Sequence, residues 1–189
     1  LRSLLAQHGL STKTFSALEI KADFFLKVTT ESVEAYDMQV VKAVRTQDVA
    51  TLRQLLESGR SLQCGNKFGE SIVHTACRKG SLAVLHFFLQ EANVSCRVIC
   101  DYGRTPLHDA CWTSEIPNFE LMDLLLTACP DLLHVKDARG FLPLAYVRKE
   151  HWDDWCLYLN SNNAQQLAAR ELVESRKTKE EMEEGQEIE

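Results

Sequence analysis

Between residues 37 and 160, apolar side chains recur at helical spacing in short blocks separated by turns. In "SLAVLHFFL", Leu82, Leu85 and Leu89 fall at i, i+3 and i+7, a spacing that gathers apolar groups on one helix face. Val49, Leu52 and Leu56 repeat it one block earlier. Both patterns predict amphipathic helices of modest length. Thr105 followed by Pro106 predicts a helix start: the hydroxyl can accept an orphan backbone N–H, and proline has no N–H to lose and a φ suited to the first turn. Gly103 and Gly140 close the bends predicted at "DYG" and "ARG" and supply the positive φ that tight bends often need.

These blocks are copies of one unit. Gly69, Ser71, Val73, His74, Ala76 and Cys77 align with Gly103, Thr105, Leu107, His108, Ala110 and Cys111, all at an offset of 34. Upstream, Ala43 and Leu55-Leu56 match Ala76 and Phe88-Leu89 at an offset of 33. Downstream, Gly140, Pro143 and Leu144 match Gly103, Pro106 and Leu107 at an offset of 37, with the extra residues assigned to a longer turn in "WTSEIPNFE". Each unit reads as turn, helix, short turn, helix.

The "TPLHDA" run at this period resembles the ankyrin-repeat family. The resemblance implies an all-α solenoid of about four stacked helix-turn-helix units with short turn or β-hairpin tips, over 37–65, 66–100, 101–136 and 137–163. The first unit lacks the T-P-L-H segment, and in the fourth Leu142 and Ala145 replace the threonine and histidine. Terminal units of such arrays are usually atypical, because they cap the core. Residues 1–36 are expected to form a helical extension whose Phe15, Leu18, Phe24, Phe25 and Leu26 pack against the first repeat. Residues 164–189 are expected to form a helix followed by the solvated acidic tail "EEMEEGQEIE".

Composition narrows the setting. With 189 residues and 45% hydrophobic content, the chain can hold one substantial domain plus extensions. A net charge of -6 argues against broad nucleic-acid binding, which needs a concentrated positive surface. Seven cysteines without a C-x-x-C pair read as reduced thiols, hence an intracellular protein, cytoplasmic or nuclear. No apolar run is long enough to predict membrane insertion. The chain opens on Leu1 rather than methionine, as a trimmed or partial chain would.

Candidate chemistry is weighed against the repeat. His74 with Cys77, and His108 with Cys111, resemble four zinc ligands, but equivalent helices stack roughly 8–10 Å apart, whereas zinc needs every ligand atom about 2.0–2.3 Å from one centre. A Cys–His nucleophile pair would have been generated twice by repetition. Neither a metal, a cofactor nor catalysis is expected, and phosphate-loop, dinucleotide, zinc-protease and serine-hydrolase motifs are missing from the sequence. The resemblance implies structural roles for Gly69, His74, Gly103, Thr105, Pro106, His108, Gly140 and Pro143. It also implies that each histidine bonds to the hydroxyl of Ser71 or Thr105 and to neighbouring backbone. In "HWDDW", Trp152 and Trp155 at i, i+3 are expected to cover the end of the stack.

The positions left over vary between units: Phe68, Glu70, Thr75, Arg78 and Lys79 in one, Tyr102, Arg104, Asp109, Trp112 and Thr113 in the next, Phe141, Tyr146 and Arg148 in the last. In ankyrin-like stacks they lie on turn tips and the inner helix surface, and aromatics and arginines often dominate interface energy. The sequence is therefore expected to form a protein-binding module, an adaptor or scaffold presenting a concave groove to a protein or peptide, and monomeric when alone. The alternative is a regulatory segment of a larger enzyme or channel, such as a kinase or ubiquitin ligase.

Overall fold

A computed structural model describes residues 25–113 and 116–161. Its α-helices are α1 (Thr30–Glu34), α2 (Met38–Arg45), α3 (Val49–Glu57), α4 (Ile72–Arg78), α5 (Leu82–His86), α6 (Pro106–Thr113), α7 (Phe119–Ala128) and α8 (Trp152–Asn160). A wide π-turn, Phe87–Glu91, prolongs α5, and 3₁₀ turns occupy Pro130–His134, Pro143–Tyr146 and Lys149–His151. Side chains start several helices where the sequence provides them. Asp37 accepts from the N–H groups of Gln39 and Val40 at 2.9 and 3.0 Å, Asp48 from Thr51 at 2.9 Å, and Asn118 from Leu121 at 3.0 Å. Each satisfies orphan donors of a first turn.

The helices form two rows. Helix α4 packs between α2 and α6, and α6 packs against the Pro143–Tyr146 turn, which makes the inner row; α5 packs on α7 in the outer row. Phe87, Phe88, Leu85, Leu107, Leu121 and Leu125 are buried between them. Cys77 and Cys111 sit in this core as small apolar groups, and all seven cysteines are buried free thiols. At the far end Phe119 stacks on Tyr158 at 4.4 Å and meets the edge of buried Trp155 at 5.4 Å, so α8 covers α7. Trp152 is only partly buried, and its indole N–H donates to the Val147 carbonyl at 3.2 Å.

Hairpin tips link the units. Within each tip a backbone N–H reaches across the bend: Asn66 to Glu70, Cys100 to Arg104 and Asp137 to Phe141, at 2.9, 3.0 and 2.9 Å. Successive tips are joined by Asp101 N–H to the Phe68 carbonyl and Ala138 N–H to the Tyr102 carbonyl, at 3.1 and 2.9 Å. Gly103 is required twice over. Its φ is +71°, and a Cβ there would lie 2.8 Å from the Ala138 nitrogen in the next tip.

Two features differ from the sequence-based expectation. In the fourth unit the inner helix shrinks to the single 3₁₀ turn led by Pro143, since Pro143–Tyr146 ends at Val147, whose backbone is extended. The segment before the repeats also reaches the second unit: Leu26 N–H donates to the Arg97 carbonyl at 2.9 Å, and buried Phe25, part of the common core, lies 5.8 Å from the Arg97 guanidinium. The expected structure of 1–24, the side chain of Thr113, and the expected helix and acidic tail of 164–189 lie outside the described residues. So do residues 114–115 of the long turn between α6 and α7.

Candidate functional site

The two histidines hold the tips in register. His74 Nδ1 accepts the Ser71 N–H at 3.1 Å, and His108 Nδ1 accepts the Thr105 N–H at 3.0 Å. With Nδ1 an acceptor, the ring proton belongs on Nε2. That N–H donates to the Arg104 carbonyl from His74 (3.0 Å) and to the Phe141 carbonyl from His108 (3.2 Å), crossing to the next unit each time. Burial lowers both pKa values to about 4, so both rings are neutral. The hydroxyls behave differently in the two units. Thr105 Oγ1 lies 2.9 Å from His108 Nδ1, as expected, whereas Ser71 Oγ accepts the Val73 N–H at 3.1 Å. Both imidazole nitrogens are thus committed to the fold. Among the described residues, no group of three or more His, Cys, Asp or Glu side chains is placed to hold a metal.

In the fourth unit, where Ala145 stands in place of histidine, Tyr146 takes over part of this work. Its hydroxyl donates to the Asp137 carboxylate, and its ring meets the His108 ring edge-on at 5.7 Å. Asp137 in turn accepts the N–H groups of Arg139 and Phe141 at 2.9 and 2.8 Å, which fixes the last tip. Tyr146 therefore braces the tip around Gly140.

A charged network crosses the groove floor. Glu70, on the second tip, lies 3.2 Å from both Arg78 and Arg104. The same two arginines flank Asp109 of the next inner helix at 3.4 and 3.7 Å. Asp109 is 1% exposed, so the expectation that it contacts a partner directly is corrected. It lies beneath the arginines. Burial raises its pKa to about 6, against the lowering pull of Arg78 and Arg104. Burial would also raise Glu70, but its hydrogen bonds and charge pairing with Arg78 prevail and hold it below the ordinary carboxylate range. Arg104 is likewise not a free surface cation. It is paired with both acids and sits 5.7 Å from the Tyr102 ring.

Thr75 is buried, with its hydroxyl 3.3 Å from that of Tyr36, so it forms groove floor rather than contact surface. Tyr36, Arg45, Asn66, Glu70, Thr75, Arg78 and Lys79 together line an open cleft of about 390 Å³. Tip and inner-helix residues thus share one concavity. Sequence reasoning missed Arg45 and Tyr36. Arg45 could have been found, because the offset of 33 sets it in register with Arg78; Tyr36 precedes the repeat and carries no such signal.

Four large aromatic side chains at tip and inner-helix positions are exposed. Phe68, Tyr102, Trp112 and Phe141 are 51%, 61%, 49% and 48% exposed. Trp112 occupies the position of Arg78 one unit on, at an offset of 34. Counted from the tip glycines, Phe68 and Tyr102 precede theirs by one residue, whereas Phe141 follows Gly140 and is in register with Glu70 and Arg104. Arg139 holds the equivalent place in the last tip, 5.3 Å from the Phe141 ring. The four aromatics therefore fall in three columns, Phe68 with Tyr102, Phe141, and Trp112.

Paired helices, glycine-bearing tips bonded one to the next, and histidines pinning each tip to its neighbour define a helical repeat solenoid. The family described as "Ankyrin repeats (3 copies)" matches residues 40–137. The chain belongs to the ankyrin-repeat family, whose repeats are generally protein-interaction modules. No curated protein matches it. Among the described residues no helix is long and apolar enough to cross a membrane.

Proposed function

We propose that this chain is an adaptor or scaffold whose concave groove binds a protein or peptide partner, without covalent chemistry of its own. The observation that carries the reading is the exposure of Trp112, whose equivalent in the preceding unit, Arg78, lines an open cleft, together with the exposure of Tyr102 on the tip of the same unit. Large aromatics left in water beside such a concavity are the residue types that dominate interface energy when covered. The stacked scaffold suits the role, since each unit adds a few side chains to one surface without moving. Buried free thiols favour a reducing compartment, cytoplasmic or nuclear.

The test is affinity capture with wild type beside Tyr102→Ala/Trp112→Ala. The double variant should lose about tenfold or more of the captured partner, as hot-spot truncation does, with helical content and melting unchanged. Equal capture by both proteins would remove the groove assignment.

A further inference from the structure

Charge is unevenly distributed along the groove. Where the second unit meets the third, Glu70 and Asp109 are matched by Arg78 and Arg104 in the network above. Arg45 and Lys79 line the same cleft, are exposed, and have no carboxylate partner among the described residues. Lys42, exposed one turn before Arg45 on α2, adds a third cation near this end. Two units further on, the groove presents Tyr102 and Trp112. One end thus carries surplus positive charge and the other uncovered aromatic area. Such a surface complements a segment with the reverse arrangement of charge.

Resting on the groove reading above, we infer that the partner supplies an extended acidic–apolar segment, with Asp or Glu side chains over Arg45 and Lys79 and one bulky apolar side chain over Tyr102 and Trp112. The repeat sets the spacing. Arg45, Arg78 and Trp112 hold equivalent positions at offsets of 33 and 34, and neighbouring helices pack about 8–10 Å apart. The two ends are then roughly 16–20 Å apart, a distance an extended chain covers in about five or six residues at about 3.3 Å each.

The experiment is fluorescence anisotropy on the full 189-residue chain. The probe is a labelled peptide bearing a glutamate block, a five-residue glycine–serine spacer, then leucine and tryptophan. Binding should weaken about tenfold or more when the glutamates become glutamines, and similarly in Arg45→Glu/Lys79→Glu. It should weaken again on raising salt, and independently in Trp112→Ala. A one-residue spacer should bind worse than the five-residue spacer. Circular dichroism melting confirms that each variant folds. Undiminished binding of the glutamine peptide or undiminished binding by the charge-reversed variant overturns the inference. Loss in Trp112→Ala but not in Arg45→Glu/Lys79→Glu overturns the acidic partner while leaving the groove reading standing. Absence of saturable binding by the glutamate peptide overturns the inference, and the groove reading is then decided by the capture experiment alone.

Discussion

Lowering the pH from 7.5 to 5 should destabilise this fold through His74 and His108. Both rings titrate near pH 4 in the folded chain because burial opposes their charge, against about 6.5 in an unfolded chain. A group whose folded pKa is depressed below its unfolded value gives the unfolded chain more bound protons between the two. Stability is therefore complete above about pH 6.5 and falls as pH drops toward 4. At pH 5 each histidine removes about 2 kcal/mol. Asp109 works in the opposite direction. Its folded pKa of about 6 lies above the ordinary carboxylate value, so the folded chain takes its proton first and gains about 1.5 kcal/mol at pH 5. The net loss is about 2.5 kcal/mol, or roughly 10 °C in melting temperature. Carboxylates with lowered pKa values, including Glu70 and Asp137, remain charged in this window. Urea denaturation at both pH values measures the difference. In Asp109→Asn the loss should grow to about 4 kcal/mol, because the opposing contribution is gone, and in His108→Gln it should shrink by about 2 kcal/mol. A wild-type stability that stays flat or rises toward pH 5, or identical pH dependences in all three proteins, would refute the reasoning.

Two further comparisons test the scaffold. Gly140→Ala should cost about 1–2 kcal/mol from its left-handed backbone alone, since a Cβ there meets nothing within 4 Å. Gly103→Ala should cost at least about 1 kcal/mol more, because its Cβ runs into the next tip; equal losses in urea denaturation would contradict the tip packing. Phe88→Ala, fully buried, should cost about 3–5 kcal/mol, whereas exposed Trp112→Ala should stay within about 0.5 kcal/mol. Thermal melts of the two variants that coincide would overturn the assignment of one to the core and the other to the surface.

The repeat was legible because the features that build it are local. A glycine at the bend, Thr105-Pro106 at the helix start and His108 three residues after Thr105 interact within a few residues, so the offset of 34 displays them twice. What escaped depends on contacts between units. Asp109 shares a register with Thr75 and Tyr146, and only Arg78 and Arg104 closing over it decide that it is buried. The course of Phe25 and Leu26 depends on Arg97, some 70 residues away, and no periodicity announces such a pairing. The charge asymmetry of the groove was likewise hidden. Arg45, Arg78 and Lys79 look alike in sequence, and the structure distinguishes them by what their neighbours neutralise.

The central claim is that a partner is held on the groove face. Quantitative capture with wild type, Tyr102→Ala/Trp112→Ala and Leu157→Ala tests it most directly, since Leu157 is an exposed apolar side chain on α8, outside the groove positions. The account predicts that the groove variant loses about tenfold or more of the bound partner, while Leu157→Ala retains it and all three proteins melt alike. Retention by the groove variant, with loss in Leu157→Ala, would contradict it.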